Sequence, residues 1–288
     1  MNFYIVIPAH NEESYLGQTL QSLVEQTLLP KKIVVVDDHS TDTTAIIAQE
    51  FSKKYPLISI VQIESDETHQ PGSKVIHAFY KGFESLDENY DVICKFDADL
   101  IFPKNYLETL AQIFLENPKC GMASGLLFIE KNNGWVYENL TSKNHIRGAL
   151  KTYTKNCFEC IGKIKPAIGW DTADELLAQY HGFEVIVTDS VFVKHLKPTG
   201  KIYHSNSRFT QGKAMYSLRY GLPLTILTGL KMAFNKKRVG VLWEYIKGYF
   251  LAKSEGVSFL VSEEEGKYIR DFRWKNIRKK IFLFTFKN

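Results

Sequence analysis

The sequence predicts an α/β fold, a mostly parallel sheet flanked by helices, followed by a helical C-terminal extension. Three observations carry this expectation. Short runs of strand formers, Phe3–Ile7, Ile33–Val36, Leu57–Ile63 and Val92–Phe96, alternate with segments of helical spacing. These runs lack clean polar alternation, as strands buried on both faces of a parallel sheet do. Strand–helix alternation at these lengths gives right-handed βαβ units, so strand ends gather on one edge. From about Gly212 the pattern changes to helices with basic flanks, which divides the chain into 1–211 and 212–288.

In chain order, Phe3–Ile7 ends at Pro8. Asn11 is expected to cap a helix with Leu16, Leu20, Leu23 and Val24 inward. Ile33–Val36 runs into Asp37-Asp38-His39-Ser40, and a Ser/Thr/Asp cluster starts a helix with Ile46, Ile47 and Phe51 inside and Pro56 past its end. After Leu57–Ile63, Pro71-Gly72-Ser73-Lys74 opens a helix over Val75–Leu86. Val92–Phe96 stops at Asp97-Ala98-Asp99, and Pro103 with Asn105 begins the helical pattern of Tyr106, Leu107, Leu110, Ile113 and Phe114. Strands are expected at Gly121–Glu130, Arg147–Tyr153, Glu184–Val187 and Val191–Val193. Helices are expected at Cys157–Ile161 and from Trp170 to Gly182.

The chain has 288 residues, 44% of them hydrophobic and 24% charged, the balance of an ordinary globular protein. The four cysteines give no disulfide framework, and Cys157 and Cys160 read as neighbours on one helix. Met1 leads directly into a strand, and no apolar run reaches ~18 residues, so the expectation is a cytoplasmic chain without a membrane span. Residues 1–200 carry 18 Lys and Arg against 26 Asp and Glu, a net −8, whereas residues 201–288 carry 18 against 6, a net +12. The basic, aromatic tail suits an anionic membrane surface, which would make the chain peripheral at the inner face of the cell membrane; its helices could equally pack on the domain and display a basic face.

Four polar clusters converge on the carboxyl edge of the predicted sheet: Pro8–Glu12, Asp37–Ser40, Gly72–Lys74 and Asp97–Asp99. Open α/β sheets bind ligands there. Two carboxylates two residues apart repel unless a cation neutralises them, and hard divalent ions prefer oxygen ligands. Asp97 and Asp99 therefore read as a Mn²⁺ or Mg²⁺ site bridging to substrate phosphates, although Asp-x-Asp also occurs in ordinary turns.

IPAHNEE (Ile7–Glu13), VVVDDHSTDTT (Val34–Thr44), GSK (Gly72–Lys74), KFDADL (Lys95–Leu100) and GWDTADELLAQYHGF (Gly169–Phe183) resemble the family 2 inverting glycosyltransferases of GT-A fold, over roughly residues 1–195. The resemblance implies a nucleotide-sugar donor, a divalent metal, and an acceptor that is a glycan or lipid-linked, with no nucleic-acid partner. It implies that Pro8, Ala9, Asn11 and Glu13 line the nucleotide, that Asp38 accepts from an imide N–H such as that of uracil, and that Gly72 and Lys74 meet the diphosphate. Asp97 would face the ribose or metal and Asp99 would bind the metal directly. His195, after the last core strand, stands where many members place a third metal ligand. Arg208 and Lys213 would lie in a lid over the diphosphate, and Arg147 would border the sugar and acceptor. Family members usually carry Glu-Asp at the start of the later helix; here Trp170-Asp171 stands there. Asp171 is then the expected base, with Asp174 the next choice and Glu175 behind it.

Two other classes fit less well. A sugar nucleotidyltransferase should have a Gly-rich, Arg-containing loop after its first strand, where this chain has PAHNEE. A non-catalytic nucleotide-sugar-binding module would not require Asp97, Asp99 and Asp171. The dinucleotide signature G-x-G-x-x-G is missing from the sequence.

Overall fold

The computed structural model describes residues 1–64, 73–140, 142–197 and 208–285. It divides into two compact units, Met1–Pro166 with His181–Thr199, and Ala167–Tyr180 with Gly200–Asn288.

The first unit is built on the expected strands. β1 (Phe3–Ala9), β2 (Lys32–Asp38), β3 (Ile58–Ile63) and β4 (Val92–Phe96) pair in parallel in the order β3-β2-β1-β4. Their crossovers are α1 (Leu16–Val24), α2 (Thr44–Lys54) and α3 (Lys74–Glu84). Beyond β4 the sheet is mixed, with β8 (Leu150–Thr154), β6 (Cys120–Lys131), β9 (Glu184–His195) and β5 (Leu100–Ile101) following in that order. β6 and β9 run parallel, while β4–β8, β6–β8 and β5–β9 are antiparallel. A short β7 (Gly134–Tyr137) hairpins back onto β6. α4 (Tyr106–Glu116) and α5 (Lys155–Cys160) complete the unit.

Both sheet faces are covered, which is why the central strands are apolar throughout. Phe3, Ile5 and Ile7 pack with Leu16, Leu20 and Leu23 of α1 and Leu107, Leu110 and Phe114 of α4. On the opposite face, Phe79 and Phe83 of α3 meet Phe158 of α5 with ring centroids 6.2 and 5.4 Å apart. Gly82 brings α3 onto the sheet: a Cβ there would stand 2.6 Å from both Val6 and Val36.

Several local expectations are revised. Asn11 does not cap α1, whose N-cap is Tyr15; Asn11 adopts a left-handed conformation (φ 54°) and turns its side chain to the loop after β2. Ile46 is 54% exposed, not internal. The two strands expected over 184–193 form one 12-residue strand, because its middle, residues 188–191, bulges out against the single residue Gly125 of β6 and pairing resumes at Phe192. Cys157 is buried and Cys160 exposed, both as free thiols.

The second unit contains α6 (Trp170–Tyr180), α7 (Thr210–Ser217), α8 (Gly221–Asn235), α9 (Gly240–Ser254) and α10 (Glu263–Thr285). The expected boundary at 211/212 falls within α7, and α6 groups with the later helices. α7 and α9 cross at Gly212 and Gly248, where a Cβ on Gly212 would meet the Tyr245 carbonyl oxygen at 2.2 Å. Arg270 of α10 donates to the Arg219 carbonyl (2.7 Å) and Arg273 to the Tyr220 hydroxyl (2.9 Å). No helix among the described residues is long and apolar enough to cross a membrane.

Candidate active site

The Asp97-Ala98-Asp99 turn follows directly from β4 and is fixed from α1. Thr19 is fully buried; its hydroxyl donates to the Ala98 carbonyl (2.7 Å) and accepts from the Leu100 N–H (3.0 Å). One side chain thus satisfies two backbone groups of the turn between β4 and β5, where a buried orphan would be costly. The Asp97 N–H bonds the Ala149 carbonyl (3.1 Å) and the Leu196 N–H bonds the Asp99 carbonyl (2.9 Å). The turn is therefore held by α1, by the segment before β8 and by the end of β9.

The loops after β1 and β2 are stitched together. The Asn11 side-chain oxygen accepts from the Thr41 N–H (2.8 Å), and Glu13 accepts from the Thr43 N–H (3.1 Å) and hydroxyl (2.8 Å). In return Ser40, Thr44 and Asp42 accept from the N–H groups of Asn11, Glu12 and Glu13. Asn11 and His39 (φ 52°) both occupy the left-handed region, which their side chains tolerate better than most. Asn11 and Glu13, expected to line a nucleotide, thus commit their carboxamide and carboxylate to shaping the rim. Pro8 and Ala9 end β1, with Ala9 in register with Asp37. Asp37 supports the loop, accepting from the Ser40 N–H (3.3 Å) and Gln62 (3.4 Å). Asp38 is buried at the end of β2, and Lys74 at the start of α3 reaches within 3.6 Å of its carboxylate. Gly72 lies outside the described residues.

Charge at the Asp-x-Asp turn is organised in two layers. Lys95 is buried and pairs with Asp97, also donating to the Gly148 carbonyl (3.2 Å). Burial alone would raise the Asp97 pKa, but Lys95, with smaller help from His195 and Lys197, holds it below the usual carboxylate value. Asp99 approaches His195 Nε2 at 3.4 Å, and His195 Nδ1 lies 3.3 Å from Glu138, which also holds Arg147 at 3.1 Å. All four side chains are largely shielded from solvent. Burial disfavours the imidazolium, yet the bonds to Asp99 and Glu138 outweigh it and lift the His195 pKa to about 9. Glu12 has its pKa raised by burial and by the nearby Asp99 and Asp97, a rise opposed by its contact with Lys197 (2.6 Å).

Among the described residues, no group of three or more His, Cys, Asp or Glu side chains is arranged to hold a metal ion. Asp97 and Asp99 carry oxygen donors of the kind hard divalent ions prefer, and His195 stands beside Asp99, but the three are not gathered into a metal-holding group. Oxygen ligands with one imidazole suit Mn²⁺ better than Mg²⁺. Glu138 stands on the far nitrogen of His195 and fixes the orientation of the ring.

The remaining expected residues belong to the second unit. Asp171 stands in the first turn of α6, where negative charge is favourable, after Gly169 at φ 83°. Asp174 is buried and accepts from the Glu175 N–H (2.7 Å). Arg208 is exposed just before α7, while Lys213, expected beside it in a lid, pairs with Glu255. Thr19, Lys95, Glu138 and Lys197 were not anticipated. Lys95 sits in KFDADL as a lone charge within a buried strand, a readable signal; Thr19 and Glu138 lie in stretches whose pattern says nothing of their partners.

Residues 4–165 match the family model "Glycosyl transferase family 2". The chain is 36% identical over 124 residues to a probable glycosyltransferase, YdaM, of Bacillus subtilis, covering 42% of this chain and 28% of that protein. It is 32% identical over 133 residues to a Methanococcus voltae dolichyl N-acetylglucosaminyl phosphate diacetamido-dideoxyglucuronosyltransferase, covering 44% and 40%. The match thus spans less than half of each of these relatives. The fold is that of the mannosyltransferase PcManGT of Pyrobaculum calidifontis, solved with GDP-mannose and Mn²⁺, with a TM-score of 0.57 at 16% identity, covering 99% of this chain and 83% of that one. On its family match and its GT-A architecture, the chain belongs to the family 2 glycosyltransferases.

Proposed function

We propose that the protein is an inverting, metal-dependent transferase moving a sugar from a nucleoside-diphosphate-sugar, a UDP-sugar first, to a hydroxyl of a glycan or lipid-linked acceptor in cell-surface polysaccharide synthesis. The observation that carries this is the buried Asp99–His195 contact beside an Asp-x-Asp turn that Thr19 fixes at the sheet's carboxyl edge.

Asp38 accepts from the imide N–H of the base, and Lys74, already beside it, supplies positive charge to the diphosphate. Asp97, Asp99 and His195 would hold the ion. When bound, it neutralises the negative charge that develops on the leaving nucleoside diphosphate. Lys95 keeps Asp97 ionised in a buried place, and Glu138 keeps the His195 ring turned toward Asp99. Glu138 also anchors Arg147, leaving that guanidinium as a fixed positive edge for donor or acceptor oxygens. Asp171, at the family position of the base, takes the proton from the acceptor hydroxyl. The dolichyl phosphate named for the Methanococcus relative and the Mn²⁺ bound to PcManGT support the acceptor class and the metal. The chain works in the cytoplasm.

Turnover and donor binding of Asp171→Asn and Asp174→Asn test the chemistry. Asp171→Asn should lose transfer while still binding donor, and Asp174→Asn should transfer at a milder loss. The opposite order moves the base to Asp174.

A further inference from the structure

We propose that the α8–α9 hairpin docks the protein on anionic lipid, its tip seating Phe234, Val239 and Trp243 at the headgroup boundary. These three are 83%, 83% and 65% exposed. They are not scattered. Leu227, Leu230 and Phe234 follow one another at helical spacing along the outer face of α8, all at least 40% exposed. On α9, Val239 precedes Trp243 by four residues and Phe250 follows by seven, which continues one stripe. The opposite faces are occupied: Gly229 of α8 lies against Leu242 and Tyr245, and Gly248 of α9 lies against Phe209 and Gly212. Phe234, Val239 and Trp243 at the tip keep most of their surface uncovered.

Charge selects the partner. Residues 221–254 contain six Lys and Arg and a single acid, Glu244, which pairs with Arg238 at 2.8 Å. Lys236 and Lys237 are exposed between Phe234 and Val239. A second copy of this face would bring like charges together, whereas anionic headgroups match them. Lys237 stands at φ 50° just past the end of α8, where the Arg238 N–H reaches back to the Ala233 carbonyl (3.0 Å). Glycine is the usual residue at such a left-handed helix end. Lysine here keeps a charge at the tip against the backbone preference. Each helix has 15 residues, about 22 Å long at 1.5 Å per residue. That is short of a bilayer core of roughly 30 Å, so the hairpin lies on a membrane and does not cross it. α10 is less suited, because Arg270 and Arg273 are engaged in internal contacts.

The proposal rests on the lipid-linked acceptor reading but on residues other than those of the donor site, and its test keeps the two apart. The full chain is sedimented with vesicles of phosphatidylcholine alone and with about a third phosphatidylglycerol, at about 0.1 M salt. The wild type should pellet only with the anionic vesicles. Lys236→Gln with Lys237→Gln should lower the partition about 25-fold, at roughly 5-fold per charge. Phe234→Ser with Trp243→Ser should abolish it. Both variants should keep the wild-type thermal midpoint and its shift with nucleotide. Wild type remaining in the supernatant overturns the proposal, as does binding that ignores both variants. A concentration-dependent dimer lost in the serine variant, or tighter binding to an RNA oligomer than to anionic vesicles, assigns the face to that partner instead. Loss of nucleotide binding with vesicle binding intact would count against the donor site alone.

Discussion

Replacing Thr19 by valine keeps the shape of a fully buried side chain and removes its hydroxyl. The Ala98 carbonyl then loses a 2.7 Å donor and the Leu100 N–H a 3.0 Å acceptor, both inside the sheet where no water takes their place. Each buried orphan costs about 1–3 kcal/mol, so Thr19→Val should destabilise the first unit by about 2–6 kcal/mol. Thr19→Ser keeps the hydroxyl and loses one methyl, at a cost of about 1 kcal/mol. Urea unfolding of the three proteins, with slopes compared to check that the same surface is exposed, reads the difference directly. The same turn carries Asp97 and Asp99, so Thr19→Val should weaken Mn²⁺-dependent nucleotide binding while Thr19→Ser does not. A valine variant within about 0.5 kcal/mol of wild type would refute the claim that this hydroxyl holds the turn, since that is the scatter of an uninvolved substitution. So would a serine variant as damaged as the valine one.

Glu138→Gln preserves shape and removes the charge behind His195 and Arg147; Mn²⁺ affinity measured by titration calorimetry should fall about 10–100-fold with the fold retained. Gly212→Ala places a Cβ 2.2 Å from the Tyr245 carbonyl, a backbone clash that should cost at least about 1–3 kcal/mol. Gly240→Ala, with nothing within 4 Å, should leave thermal unfolding of the helical unit unchanged. Asp87 accepts from Lys32 Nζ (2.5 Å), the Tyr4 hydroxyl (2.6 Å) and the Asn89 N–H (2.8 Å), and these bonds, Lys32 first, hold its carboxyl far below the usual range. Its folded pKa is thus lower than its unfolded one, so its contribution is present above pH about 4 and is lost as pH falls below that. Asp87→Asn should flatten this acid limb in a pH series of unfolding midpoints.

The parallel half of the fold was legible because buried strands write themselves as unbroken apolar runs and their crossover helices at 3.6-residue spacing. The rim was legible for the same reason: parallel strands place Ala9, Asp38 and Asp97 on one edge whatever the details. The second half of the sheet was not. β5 is two residues long and β7 four, too short for a period to show, and β9 carries Thr188 and Ser190 at its middle, which look like a break but form a bulge after which pairing with β6 resumes. Asn11 looked like a helix cap, yet its side chain bonds Thr41, thirty residues on, and no local pattern encodes that choice. Glu138 is hidden for the same reason, since its partner His195 is 57 residues on and meets it only through the β6–β7 and β6–β9 pairings.

The central claim is that Asp99 and its neighbours bind a metal–nucleotide donor. Thermal unfolding of the wild type and Asp99→Asn with UDP, GDP, dTDP and CDP, each with and without Mn²⁺, tests it most directly. Ligand that binds only the folded state stabilises it by about 2.7 kcal/mol at a hundred times its dissociation constant, so a true site gives a clear rise in midpoint. The account predicts a Mn²⁺-dependent rise with UDP that is absent in Asp99→Asn. A flat response to all four nucleotides, or an undiminished Mn²⁺-dependent rise in the variant, would contradict it.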